Sequence, residues 1–420
     1  MSDQNQEYII YYKCWNGGYN TIKNIKVRKS PAKWYEKLNA DVERRYELPK
    51  GYEASSAGLA LYRDDFELWC SQLKKNFVKC FDYKFYHDHK RSPLLVLNMI
   101  DKAWQHKMKD MPDAIEYRWI ESCNNGGLTY FDEEAREYTG ESYGYDFKGY
   151  YPENMTKIHV PVRRGDEVIL GKLPKKLVLG YYRVKITSKH PHVTKVFKFS
   201  KNNVYTNYAV EFAREISKKF KLRLELVDDG QPNGYLYEKV ITGERLFGEW
   251  FRVIKKLKTA FPKNGLIKNL SSGLWGRICK GNVVRLSFDQ LDEYDVSMGS
   301  KTKHRILDQH ANADGTEYFE VLNNNQPYTF ACGRMKALLT SYGQVRMGRT
   351  IAESGSISKV IRVQTDDVVY KVHKEFDEPT LVREDKTSGL IIWVNVNKYI
   401  NCDSSTFHGS WTEKEKLGLD

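Results

Sequence analysis

Three patterns are missing from this chain, and each absence narrows its class. There is no Cys-x-x-Cys pair: the seven cysteines, at 14, 70, 80, 123, 279, 332 and 402, are odd in number and widely scattered. That argues against paired-cysteine zinc sites and a disulfide framework, and fits a reducing compartment. No run of about 18 apolar residues exists to span a bilayer. Met1 to Glu7 are polar and acidic rather than basic and then apolar, so a secretory leader is not expected. The chain is therefore read as soluble, intracellular and without a membrane partner, its compartment (cytoplasm, nucleus or organelle) left open.

What is present points to a globular protein with an anionic partner. The chain has 420 residues, 41% of them hydrophobic, enough to bury a sizeable core in one elaborate domain or two to three smaller ones. A formal charge of +13 with 29 Tyr and 9 Trp combines a field for polyanions with flat rings that can stack on bases. A basic surface also serves solubility, and tyrosines also serve as core, so composition alone does not choose.

Along the chain, residues 1–50 show little periodicity and read as an irregular arm or small subdomain. Apolar spacing predicts helices over 54–77 and near 94–108. Asp65-Phe66-Glu67 has the form of an exonuclease Asp-x-Glu but lies in the first of these helices, where that motif does not work. His87-Asp88-His89 and His190-Pro191-His192 lack partners at zinc spacing and read as loops. Asn124-Asn125-Gly126-Gly127 is a turn whose glycines permit close backbone approach. Strands are predicted at 181–186, within 196–210 and at 222–227, around a helix near 209–220.

The fold class that follows is α+β, not a repeating βαβ array. Leu246, Phe247, Trp250, Phe251, Ile254 and Leu257 fall at helical spacing; Pro262 breaks the helix, and a second runs from about 263 to 279, giving a helical hairpin rich in lysine. Residues 282–330 read as a polar insertion with short turns. A helix over 335–353 leads into a hairpin over 360–372 with Asp366 and Asp367 at its tip, and 390–396 is the last predicted strand.

One stretch organises the rest. Tyr145-Asp146-Phe147-Lys148-Gly149-Tyr150-Tyr151-Pro152 sets a carboxylate at the end of an aromatic strand and then turns the chain. Alone, Asp146 reads as a strand-end cap. With Lys268 on a helix that continues to Trp275-Gly276-Arg277, and Asp366 at a hairpin tip, it becomes part of a set. Two carboxylates from separate strands of one sheet can hold two divalent ions, while a helix lysine supplies charge to a triphosphate.

These stretches resemble the polymerase region of family B DNA polymerases, in the organellar, viral and phage-type branch that often primes with a protein. Asp146 to Pro152 keeps the Asp, Tyr and Pro of motif A. Lys268 to Gly276 keeps the Lys and final Gly of motif B, with an aromatic before the Gly. Gln364-Thr365-Asp366-Asp367 matches motif C, with Gln364 where the family has its first Asp. The resemblance covers about 54–399.

The resemblance implies a right-hand fold with an antiparallel palm sheet, helical-hairpin fingers and a thumb minimal or absent. It divides the chain into an unassigned arm (1–53), palm with flanking elements (54–242), fingers (243–280), insertion (281–333), and palm with a short tail (334–420). Asp146 and Asp366 are then the catalytic carboxylates, and with the carbonyl of Phe147 they hold two Mg²⁺, or Mn²⁺. Tyr151 is the gate against a ribose 2′-hydroxyl. Lys268 and Lys256 bind the triphosphate, and Trp275 with Gly276 packs on the nascent base pair. Asn124, Gly126 and Gly127 touch template, Lys398 and Tyr399 touch the primer, and Thr365 contacts the DNA.

The implied activity is DNA-directed DNA synthesis from dNTPs on a DNA template-primer, or from a priming protein, in viral, plasmid or organellar replication. No proofreading is expected, and processivity is assigned to the insertion or to a separate subunit. The competing expectation is a non-catalytic nucleic-acid-binding relic with the same fold.

Overall fold

The computed structural model describes residues 6–13, 19–27 and 108–412, the last with breaks at 109, 125, 261–264, 292–293, 295, 298–302 and 312–314. The helices expected over 54–77 and 94–108, Asp65-Phe66-Glu67 and the first His-x-His pair lie outside the described residues. Two units divide the chain, one containing the N-terminal strands and 242–278, the other 108–241 and 279 onward.

In the first unit, Gln6–Lys13 and Tyr19–Val27 form an antiparallel pair, in the stretch expected to be an irregular arm or a small subdomain. The helices Gly243–Ala260 and Gly265–Ile278 touch one another. Leu246, Phe247, Trp250 and Ile254 are buried along the first and Leu274 and Ile278 along the second, the one-sided apolar stripe that the spacing predicts.

The second unit is built on an antiparallel sheet. Its strands run, in spatial order, Thr406–His408, Tyr399–Asn401, Gly389–Trp393, Glu141–Phe147, Asp367–Tyr370, Val360–Gln364 and Thr129–Phe131, with Leu381–Arg383 also paired to Glu141–Phe147. Two strands thus follow Gly389–Trp393, which the sequence reading takes as the last; both are only three residues long, too short for alternation to register.

The helices Asn207–Phe220 and Lys336–Glu353 supply the opposing layer. Phe212, Ala213, Ile216, Met347 and Ile351 share one buried core with Tyr145, Phe147, Val363, Val368 and Tyr370 of the sheet. Mixed helices and antiparallel sheet therefore bear out the α+β reading.

Two further sheets complete the unit. One joins Asp166–Val168, Gly234–Leu236, Gly180–Thr187 and Val204–Thr206, with Arg223–Leu226 paired to Gly180–Thr187. Of the expected strand over 196–210 only 204–206 pairs. Thr206 instead caps the next helix, accepting from the amide of Ala209. The stretch read as polar with short turns holds a four-stranded sheet, Val283–Leu286, Glu317–Asn323, His304–Ala311 and Val296–Ser297, over a small core of Leu286, Phe319 and Val321.

Candidate active site

Asp146 is the penultimate residue of the Glu141–Phe147 strand. Its neighbours Tyr145 and Phe147 are buried, and strand alternation turns the Asp146 side chain away from theirs. The chain then reverses at Gly149, whose φ of +73° lies in the left-handed region, and enters the helix Tyr150–Lys157 with Pro152 in its first turn, where a missing amide costs nothing. Tyr150 is buried and its hydroxyl donates to the carbonyl of Gly343. Tyr151, next to it, is half-buried. Burial, and then the charge of Asp366, push its phenol up to about 12, so it stands as a neutral hydroxyl.

Asp366 occupies the turn between Val360–Gln364 and Asp367–Tyr370. Asp367, expected at the tip, is instead the first residue of the returning strand, in register with Asp146. The turn is tight. Thr365 has φ +62°, unusual for a β-branched residue; its amide donates to Leu128 O at 2.8 Å, and a Cβ on Gly127 would stand 2.3 Å from its Oγ1. The amide of Phe147 donates to Asp366 O at 2.9 Å. Burial, and then the charge of Asp146, hold the Asp366 carboxyl up at about 6.

Beneath this pair lies a second layer that the sequence reading does not contain. Asp367 is buried, accepts from the Arg362 guanidinium, and accepts from Thr387 Oγ1 at 3.2 Å. Burial raises its pKa while Arg362 opposes the rise. Arg362 also donates to Val396 O at 2.7 Å and to the Gln364 side chain, whose amide reaches Asn397 Oδ1 at 2.6 Å. Gln364, where the resemblance has an acid, thus belongs to a hydrogen-bonded network. Lys148 Nζ lies 3.0 Å from Asp146 Oδ2 and 2.5 Å from Glu384 Oε2.

Arg346 holds Glu153, Asn154 and Thr380 at 2.9 Å each, with its guanidinium 4.5 Å from the centre of the Phe147 ring. Lys148 and Arg362 were within reach of sequence reasoning, since each stands two residues from a motif position. Glu384, Thr387 and Arg346 carry no local signal.

The structure brings Asp146, Phe147, Tyr151, Gly127, Thr365 and Asp366 together. Gly126 and Gly127 are held by their carbonyls, which accept from Gln344 and from Lys198 Nζ respectively. Asn124 closes the helix Ala114–Cys123, its amide donating to Glu121 O. Lys398 accepts through its carbonyl from Val394 N in a turn, and the buried Tyr399 ring stacks on His408, 4.5 Å between centres. Lys256, Lys268, Trp275 and Gly276 belong to the other unit. The side chains of Lys256 and Lys268 lie outside the described residues; Trp275 is half-buried and Gly276 exposed.

The donor set fits a hard divalent cation. Asp146 and Asp366 offer oxygen ligands; burial first, and then the charge of Asp146, push Asp366 up, and a cation would relieve the second of these. Among the described residues no group of three or more His, Cys, Asp or Glu is arranged to hold a metal. A cation here would therefore complete its shell from the Phe147 carbonyl and from substrate or solvent oxygens. No helix among the described residues is long and apolar enough to cross a membrane.

No family model and no curated protein matches the chain. Solved structures do. It is similar to phi29 DNA polymerase complexed with primer-template DNA and incoming nucleotide substrates, at 16% identity and a TM-score of 0.51, over 100% of this chain and 78% of that one. The post-translocation binary complex of the same polymerase with primer-template DNA aligns at 15% identity and a TM-score of 0.52, with the same coverage. At such identity the likeness is one of fold, and the fold of this chain is DNA polymerase-like.

Proposed function

We propose that this chain is a DNA-directed DNA polymerase core of the family B kind, extending a primer 3′-hydroxyl, or a priming protein's hydroxyl, from dNTPs on a DNA template. The observation that carries the proposal is the junction of Asp146 and Asp366: one carboxylate near a strand end and one in the adjacent hairpin turn, joined by the backbone hydrogen bond from Phe147 to Asp366, in a polymerase-like fold. Asp146, Asp366 and the Phe147 carbonyl would hold Mg²⁺ or Mn²⁺. When bound, such ions neutralise triphosphate charge and favour ionisation of the attacking hydroxyl.

The chain's own residues orient and select. Tyr151 presents a neutral, half-buried phenol beneath the incoming sugar and leaves no room for a 2′-hydroxyl. Lys268 and Lys256 bind the triphosphate, and Trp275 with Gly276 packs against the nascent pair. Asn124, Gly126 and Gly127 position template, Lys398 and Tyr399 position primer, and Thr365 contacts the DNA. Arg346 clamps the strand end, the following helix and the 378–380 loop, so Asp146 and Tyr151 keep a fixed relation.

A second reading is a nucleic-acid-binding subunit without turnover. Gln364 favours it, because its side chain is engaged with Arg362 and Asn397 where the family pattern has a carboxylate. Primer extension with Mg²⁺ or Mn²⁺ separates the two. Extension that Asp366→Asn abolishes supports the polymerase; DNA binding with no extension in the wild type leaves the second reading standing and sinks the first.

A further inference from the structure

We propose that Lys148 is a tethered cation that competes with the divalent ion for Asp146, and that Glu384 is the carboxylate to which it retreats. This rests on the reading of Asp146 as a metal ligand.

Lys148 follows Asp146 by two residues, and its backbone amide is pinned to Thr380 O at 2.8 Å, so its side chain starts from a fixed point. Its Nζ bridges Asp146 Oδ2 at 3.0 Å and Glu384 Oε2 at 2.5 Å. Glu384 is itself fixed, its amide donating to Gly144 O at 2.9 Å on the strand that carries Asp146. Both carboxylates are mostly buried, with side-chain exposures of 18% and 22%, whereas Lys148 is 54% exposed. The ammonium is thus the movable member of the triad.

Charge then sets the competition. Asp146, Asp366 and Glu384 bring three negative charges against Lys148 and Lys386, the latter 3.9 Å from Glu384 Oε1. Arg362 is engaged elsewhere, with Asp367 and Gln364. A divalent ion approaching Asp146 meets an ammonium already on one of its two oxygens and is repelled by it. Because Glu384 Oε2 is already within Lys148's reach, the ammonium can leave Asp146 without entering bulk water. The pair therefore makes the site tolerable when metal-free and lowers its metal affinity, with Glu384 setting how much.

Two substitutions should act in opposite directions. Mn²⁺ binding by the full chain, with the metal as the sole added ligand, is followed from the free-ion EPR signal at neutral pH and constant ionic strength. Lys148→Met should lower the Mn²⁺ Kd about fivefold, the upper end of what an exposed ion pair is worth, and Lys148→Arg should restore the wild-type value. Glu384→Gln, which leaves the ammonium with only Asp146, should raise the Kd by a comparable factor. Asp146→Asn should remove the binding.

If Asp146→Asn removes Mn²⁺ binding while Lys148→Met leaves it unchanged or weakens it, the tethered cation is overturned and the metal site stands. If Asp146→Asn and Asp366→Asn both leave Mn²⁺ binding at the wild-type level, both the tethered cation and the metal-site reading fall. Lys148 is an exposed side chain, so its variants are expected to fold; a Glu384→Gln protein that fails to fold leaves the decision with Lys148→Met and Lys148→Arg.

Discussion

The amide of Phe147 donates to the carbonyl oxygen of Asp366 at 2.9 Å, and this bond joins the strand end that carries one carboxylate to the turn that carries the other. The next pair down the ladder sets Asp367 directly opposite Asp146. Like charges opposed on a sheet destabilise it, and Arg362 neutralises one member of that pair. Asp146 is met by Lys148 at 3.0 Å, and Asp366, in the turn, still feels its charge.

The first prediction concerns the cost of that arrangement. Asp366 titrates near 3.8 when unperturbed and is held up at about 6 in the fold. Between those values the native state binds more protons than the unfolded one, so stability falls as pH rises through the window, and the full penalty applies above it. Without divalent cations, Asp366→Asn should therefore raise the unfolding free energy at pH above about 7 by on the order of 2 kcal/mol. The gain should vanish below about pH 4. Denaturant unfolding at the two pH values checks this, and a variant less stable than wild type at high pH would show that the Asp366 charge is compensated.

The layer beneath should behave in the opposite way. Arg362 and Asp367 have side-chain exposures of only 5% and 7%, so removing either partner strands a buried charge. Arg362→Met or Asp367→Asn alone should cost about 3–5 kcal/mol, while the double substitution should cost less than the sum of the two. A double-mutant cycle by thermal or denaturant unfolding measures the coupling; strictly additive losses would mean that the pair does not act as a unit.

The contrast between these layers explains what the sequence could show. The placement of Asp146 at a strand end, Tyr151 in the first turn of the next helix and Asp366 at a turn was legible, because strand ends and turns are written in local sequence. The helix over 243–260 was legible from its 3.6-residue stripe, whereas the one over 336–353 is buried at consecutive positions and shows no such stripe. Glu384, Thr387 and Arg346 act through side chains that arrive from distant segments, so no local period marks them. The sheet over 283–323 was read as polar because its core is only a few residues, Leu286, Phe319 and Val321, and its strands expose the rest. Asp367 was misplaced by one position for a related reason: a two-residue turn and a strand start look alike in an Asp-Asp pair.

Gly127 offers a test of the turn itself. A Cβ there would lie 2.3 Å from Thr365 Oγ1 and 2.9 Å from its Cβ, and Thr365 is already at φ +62°. The threonine has little freedom to give way, because its amide is held by Leu128 O. Gly127→Ala should destabilise by about 1–3 kcal/mol through overpacking and should lower primer extension more than that loss of folded protein explains. Extension normalised to folded fraction checks the second part; a variant with wild-type extension would show that the Gly127–Thr365 contact does not position Asp366.

The last prediction tests sugar selection at Tyr151. The turn that presents it is fixed on both sides: Gly149 supplies the left-handed residue, and Tyr150, its hydroxyl on Gly343 O, anchors the first turn of the helix in the core. Burial and the neighbouring Asp366 keep the Tyr151 phenol protonated up to about pH 12. In the proposed role the ring acts by shape and by a neutral hydroxyl, not by charge. Tyr151→Val removes that shape while Tyr150 keeps the helix in place. The ratio of kcat/KM for ribonucleotide to deoxyribonucleotide should rise about 10- to 200-fold, the range a single pocket contact commands, with the deoxyribonucleotide value changed less. Tyr150→Val should instead lower stability by about 3–5 kcal/mol, as loss of a buried aromatic does, without a specific effect on the ratio. Steady-state kinetics on a single template position measures both variants, and an unchanged ratio in Tyr151→Val would place the gate on another side chain.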